Sequence, residues 1–229
     1  MLILAMESSA KPASVAVYSE GKLLGQYFQN NGLTHSRTLL AITQSLLKNL
    51  DISISDIDLF AVSSGPGSFT GVRIGVSAAK GLAWGAQKPI CGISTLEAMA
   101  YQLPQQDVIL CPVMDARREQ VYNALFKWEN NSLIRICEDR AISLKNLSIE
   151  LKNSNKKHLL IGDGAEPSYE YLAAANIPCD IAPTLLRYQT AYGVALAAMN
   201  TKPIDAITLE PSYLRPSQAE RVSGLLQND

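Results

Sequence analysis

Gly65-Pro66-Gly67-Ser68-Phe69-Thr70-Gly71-Val72-Arg73-Ile74-Gly75 is the stretch from which the architecture of this chain follows. Before it, Asp58 to Ser63 is a short apolar run of the buried-strand type. Gly65-Pro66-Gly67 then forces a turn, because glycine reaches backbone angles closed to other residues and proline fixes its own. After it, Gly71 to Ala86 predicts a helix that ends before Pro89. A turn of this kind turns free N–H groups and the positive end of a helix dipole outward, which is chemistry for an anion. No Gly-Lys-Ser/Thr follows, and the Gly-x-Gly-x-x-Gly spacing is absent. Phe69 stands where a nucleophile elbow needs serine, and no histidine–acid pair is placed to activate a hydroxyl, so a catalytic serine is not expected.

Working outward, Leu2 to Met6, Ala13 to Ser19 and Lys22 to Phe28 read as strands, broken by Ser8-Ser9-Ala10-Lys11-Pro12 and by Glu20-Gly21. Thr34 can cap a helix whose apolar positions Leu39, Ile42, Leu46 and Leu50 recur at helical spacing, widened by Leu40 and Leu47. Ile90 to Ile93 and Thr95 to Tyr101 supply a further strand and helix. Leu103-Pro104-Gln105-Gln106-Asp107 is the best boundary. Beyond it, Val108 to Met114, Gln120 to Phe126, Leu133 to Cys137 and His158 to Ile161 read as strands, and Leu144 to Lys152, Glu166 to Ala174 and Tyr188 to Met199 as helices. No internal repeat of solenoid length is visible. Three strands, a helix, a strand, a helix and a strand is the order of an actin-like lobe. The expected fold is therefore α/β: a two-lobed actin-like ATPase (ribonuclease H-like) architecture with mixed sheets flanked by helices. Residues 1–104 form the N-terminal lobe and 105–229 a smaller C-terminal lobe, whose final segment can pack back on the first.

With 229 residues, 47% of them hydrophobic, the chain can bury a sizeable core. Its 20 Lys and Arg against 21 Asp and Glu create no field that would pull it onto a phosphate backbone unaided. The four cysteines, Cys91, Cys111, Cys137 and Cys179, form no Cys-x-x-Cys pair, and with only His35 and His158 beside them a structural zinc site is not expected. Met1 to Met6 lacks a basic leader and is too short to span a bilayer, so it reads as the first strand of a cytosolic protein. Lys152, Lys156 and Lys157 read as a solvated face.

The helix from Gly71 is apolar nearly all round, with Arg73, Ser77 and Lys80 as its one polar stripe. Interior glycines cost a helix about 1 kcal/mol each against alanine, so close approach of another backbone must offset them. The row Gly71, Gly75, Ala79, Ala83 and the row Gly81, Gly85 lie on different faces. One can press on the lobe's own sheet and the other on a neighbour.

Three motifs of the first lobe now resemble one family: His35-Ser36-Arg37, the run Gly65 to Gly75, and Ala79-Lys80-Gly81-Leu82-Ala83 before Gly92-Ile93-Ser94-Thr95-Leu96-Glu97. The second lobe adds Asp115-Ala116-Arg117-Arg118 with Val121-Tyr122, Gly162-Asp163-Gly164 and Pro211-Ser212-Tyr213-Leu214-Arg215. Together they look like the TsaB (YeaZ) family, relatives of the catalytic subunit TsaD in tRNA threonylcarbamoyladenosine synthesis. Gln120 departs from the pattern, since the family often carries Glu there. The resemblance implies a protein without chemistry of its own. It would pair with TsaD and the ATPase TsaE to promote threonylcarbamoylation of ANN-decoding tRNAs, and would homodimerise when alone. The tRNA would be met only through the complex, and ATP and metal would be carried by the partner subunits.

That resemblance also implies sites. TsaD binds metal through two histidines four apart on a helix; the matching positions here are Thr95 and Met99, poor ligands for such an ion. Glu7, Ser8 and Ser9 match a vestige of its cofactor-binding turn, while Lys11 and Pro12 replace acidic residues. Glu7 is open to two readings, orienting a magnesium-bound water or lying buried and hydrogen-bonded. His35 caps or packs at its helix start. The partner interface is expected on the first-lobe helices, at His35, Leu39, Ile42, Leu46, Val72, Arg73, Val76, Ala79 and Lys80. Two alternatives of different chemistry are an ATP-dependent phosphotransferase of the same fold and a metallopeptidase.

Overall fold

A computed structural model describes residues 1–154 and 156–215. The first sheet is built from β1 (Leu2–Glu7), β2 (Ala13–Ser19), β3 (Lys22–Gln29), β4 (Leu59–Gly65) and β5 (Ile90–Ser94), in the order β3-β2-β1-β4-β5. β1, β2 and β3 pair antiparallel, Glu7 lying opposite Ser14, whereas β4 and β5 add in parallel. Three helices belong to this lobe: α1 (His35–Asn49), α2 (Phe69–Gly85) and α3 (Thr95–Tyr101). α2 starts two residues earlier than its glycine pattern predicts, because the Ser68 side chain accepts from the Gly71 N–H and caps it. Thr34 occupies the corresponding position of α1 without a side-chain cap, so that expectation is corrected.

Alternation along the strands sends the two faces of this sheet into separate cores. Leu4, Met6, Val15, Val17, Phe60 and Val62 point to α1 and α2. Ile3, Ala5, Ala16, Leu59, Ala61 and Ile93 point to the other face, which is covered by α7 (Ala191–Ala198) from late in the chain.

The second sheet comprises β6 (Ile109–Asp115), β7 (Gln120–Glu129), β8 (Ser132–Ser143), β9 (His158–Ile161) and β10 (Cys179–Ile181), in the order β10-β9-β6-β7-β8. Its helices are α4 (Leu144–Lys152), α5 (Ala165–Ala174) and the short α6 (Thr184–Arg187). The order and directions of its strands repeat those of the first sheet. β8 runs well past the expected Cys137, its charged stretch Glu138 to Arg140 being held by pairing with β7 out to Ser143 opposite Gln120. β10 and α6 escape sequence reading altogether; three residues gain strand character only from a neighbour such as β9.

The second lobe is expected over 105–229 with a final segment able to pack back; in the structure the chain from Ala191 to Tyr213 lies on the first lobe: α7 covers the sheet, Ile204 bridges to Ile90, and Ser212 N–H donates to the Ser64 carbonyl. The 216–229 part of that assignment lies outside the described residues. The lobes meet at α3, where Leu96, Met99, Ala100 and Leu103 share one core with Leu110, Met114, Phe126 and Ile161. Among the described residues no helix is long and apolar enough to cross a membrane.

Candidate functional site

The turn after β1 sits directly on the start of α2. An added Cβ at Gly71 or Gly75 would collide with Ser8, and one at Gly67 with Ser9, so these glycines exist for close approach. Ser68 N–H donates to the Ser9 carbonyl at 2.7 Å, and the Ser8 hydroxyl to the Gly71 carbonyl at 2.9 Å. Glu7 lies beneath this contact, fully buried, accepting from the Ser9 N–H at 2.6 Å and from the Ser63 hydroxyl. Burial pushes its carboxyl above the usual range, against the opposing pull of hydrogen bonds from Ser63 and Ser9. Of the two readings of Glu7, the geometry is that of a buried, hydrogen-bonded acid. Of the residues expected to hold a cofactor, Glu7 spends its oxygens on Ser9 and on Ser63 of β4, and Ser8 spends its hydroxyl on the first turn of α2. Ser9 is equally buried, its hydroxyl unpartnered among the described residues.

Between the lobes lies a cleft of about 840 Å³, walled by Lys11, Ser68 and Thr70 on one side and Asp115, Arg117 and Asp163 on the other. An actin-like fold implies a magnesium nucleotide here, which needs carboxylates free to face it. Asp115 Oδ1 already accepts from the Arg117 N–H at 2.7 Å, and Asp163 Oδ1 from the Gln189 amide at 3.0 Å. Burial raises the Asp163 carboxyl as well, disfavouring its charged form. With Glu7 buried too, the residues present do not fit a magnesium nucleotide.

Thr95 and Met99 lie one helical turn apart, both buried. Met99 fills the interlobe core, with Gly162 packed close to its sulfur, so this helix face serves packing. His35 Nε2 lies 2.7 Å from the Ala10 carbonyl, so the ring packs at the start of α1 and secures the turn after β1. His158 is buried in β9, where desolvation lowers its pKa. The four cysteines are free thiols. Burial pushes Cys91 up to about 11 and Cys111 to about 12, far from the range of a reactive thiolate.

Comparison with known proteins bears on this arrangement. The family model for TsaD, tRNA N6-adenosine threonylcarbamoyltransferase, matches residues 30–215. The tRNA threonylcarbamoyladenosine biosynthesis protein TsaB of Bacillus subtilis is 30% identical over 96% of this chain and 96% of its own. The chain belongs to the TsaB (YeaZ) family. The Escherichia coli TsaB is 36% identical over 58% of each chain. The solved YeaZ of Pseudomonas aeruginosa superimposes with a TM-score of 0.77 at 23% identity, covering 93% of this chain and 99% of that one, which shows the shared fold. The lobes are those of the actin-like ATPase architecture, and TsaB membership assigns the chain a role in tRNA threonylcarbamoyladenosine biosynthesis.

The interface expected from the TsaB resemblance needs revision. Leu39, Ile42, Leu46, Val72, Val76 and Ala79 are buried in the lobe's own core against β1, β2 and β4, because a helix stripe that covers a sheet has no surface left for a partner. Arg73 is exposed but donates through Nε to the Tyr213 hydroxyl, and the Lys80 ammonium donates to the carbonyls of Ile207 and Leu209. What faces outward is a different set. Trp84 is 68% exposed, a Cβ added at Gly81 or Gly85 would meet nothing within 4 Å among the described residues, and Leu40 on the adjoining α1 is 50% exposed. Sequence reading found the two glycine rows but missed Trp84. Its signal was there: Ser77, Gly81 and Trp84 follow one another at i, i+4 and i+7.

Proposed function

We propose that this chain is a non-catalytic accessory subunit in the threonylcarbamoyladenosine modification of ANN-decoding tRNAs, and that it docks on and activates TsaD. TsaE joins the same assembly; ATP and metal are carried by those partners. Alone, the chain pairs with a second copy through the same face, and it meets tRNA within the complex.

One observation carries the reading. The outward row of α2 holds Gly81 and Gly85 in open space beside an exposed Trp84. Each glycine costs the helix about 1 kcal/mol that no internal contact among the described residues offsets, and a partner backbone laid along the row would. A large exposed aromatic is the residue type that dominates binding energy at protein contacts. The burial of Glu7 and the packing role of Thr95 and Met99 support the absence of chemistry. A second reading, an ATP-dependent phosphotransferase of the same fold, has the volume of the cleft in its favour and the engaged acids of the cleft against it; a nucleotide titration of the isolated chain separates it from the first.

The test is co-elution with TsaD followed by light scattering, together with reconstituted tRNA modification. Gly81→Arg places a charged side chain in the docking row without touching the core. A folded Gly81→Arg chain is expected to lose the complex; one that still co-elutes and restores modification at low concentration overturns the proposal.

A further inference from the structure

The last described residues bridge the two lobes. Leu209 is buried with the α2 core, and Gly92 leaves room for it, since an added Cβ there would crowd its side chain. Ser212 N–H donates to the Ser64 carbonyl at 2.7 Å, and Gly65, at φ 122°, lies so close that any side chain would strike the Ser212 carbonyl. Tyr213 then stacks on Phe69, with centroids 4.8 Å apart and planes at 30°, and Arg73 binds both: its guanidinium sits 3.9 Å above Phe69 and its Nε donates to the Tyr213 hydroxyl at 2.7 Å. Up to this point every contact is to the first lobe. Two residues later Arg215 crosses to the second, donating to the Ala116 carbonyl at 2.7 Å and to the Gln120 side-chain oxygen.

The receiving turn is itself held under constraint. Arg117, Arg118 and Glu119 all take left-handed backbone angles, φ 63°, 56° and 56°, a conformation that residues with a Cβ rarely adopt in succession. The turn is closed by Ala116 N–H to the Gln120 carbonyl and by Gln120 N–H to the Arg117 carbonyl. Arg215 therefore binds the two residues that frame it, and the same segment, Ser212 to Arg215, lines the interlobe cleft. On the α3 side the lobes share an apolar core, backed by Arg135, which pairs with Glu97 of α3 at 2.9 Å and with Asp139 of β8 at 2.5 Å. At the cleft, Arg215 links this strap to the second lobe.

We propose that Ser212–Arg215 is a clasp that sets the opening of the cleft, and that residue 120 sets its strength. Gln120 offers a neutral oxygen to a guanidinium, a weaker partner than a carboxylate in the same place. The clasp of this chain is thus built to release. Because its first-lobe end grips Phe69 and Arg73 at the start of α2, a force on that helix end reaches the turn at 116–120 through four residues, and release at either end frees the other.

Hydrogen exchange on the full chain tests this, comparing the wild type with Arg215→Ala, Gln120→Glu and the double variant. Arg215→Ala is expected to speed exchange roughly fivefold both at 116–121 and at 66–72, and Gln120→Glu to slow both by about the same factor. In the double variant the slowing should vanish, since the added carboxylate has lost its partner. The proposal is overturned if Arg215→Ala affects 116–121 alone, if Gln120→Glu changes nothing, or if its slowing survives without Arg215. Should Arg215→Ala fail to fold, Gln120→Glu decides by itself: slowing at both segments upholds the clasp, and slowing at one or neither removes it.

Discussion

The Ser8 hydroxyl donates to the Gly71 carbonyl across 2.9 Å, so the turn after the first strand is fastened to the first turn of α2. That fastening divides the glycines of α2 into two kinds. Gly75→Ala would drive a methyl group into Ser8 and is expected to destabilise the chain by about 1–3 kcal/mol, despite the better helix propensity of alanine. Gly81→Ala meets open space and should stabilise by about 0.5–1 kcal/mol. Urea denaturation of the two variants decides it; equal signs would contradict the division.

Val76 and Trp84 lie about two turns apart on α2, the first buried and the second exposed. Val76→Arg would bury a charge among Leu39, Phe60 and Val62 and is expected to cost about 3 kcal/mol or more of stability. Trp84→Ala should leave stability within about 0.5 kcal/mol, because the ring is 68% exposed. Its effect is expected in binding, a loss of about 2 kcal/mol with TsaD, or roughly thirtyfold in Kd. Calorimetric titration beside a melting curve separates the two outcomes.

Glu7 leaves a signature in pH dependence. Its carboxyl is raised in the folded chain from an ordinary value of 4.5, so over that interval the native state holds a proton that the unfolded state has released. Stability is therefore expected to fall as pH rises through the window above 4.5 and to level off once native Glu7 has ionised. Asp163, raised by its own burial from 3.8, adds a slope of the same sign. Glu7→Gln should flatten the Glu7 part and leave that of Asp163, as measured by urea midpoints at a series of pH values. An unchanged slope would assign the dependence elsewhere.

The thiols give an independent check on the packing. Cys91 and Cys111, held near 11 and 12 by burial, are expected to resist iodoacetamide at mildly alkaline pH until the chain unfolds. Cys137, half-buried on β8, should react first. Peptide mapping after a short pulse reads the order; early labelling of Cys111 would mean that the second-lobe core opens locally.

The residues by themselves determined the kinds of element and their order. Strand-like runs broken by turn residues marked β1 and β2, helical spacing marked α1, and the glycine run at 65–75 marked both the turn and the family, because each of these signals lies within a few neighbouring positions. Local pattern could also say that α2 has two small-residue faces. It could not say which one meets the sheet, since that depends on where the turn after β1 comes to rest, and the broad apolar stripe that looked like a docking surface proved to be core. The same limit hid β10, the point at α7 where the chain returns to the first lobe, and the reach of Arg215 to Gln120, 95 positions away in sequence. Glu7 is the sharpest case. An acid at the end of a first strand can serve a metal or lie buried with equal local logic, and only the packing of Ser63 and Ser9 around it, from separate parts of the chain, decided that its oxygens face inward.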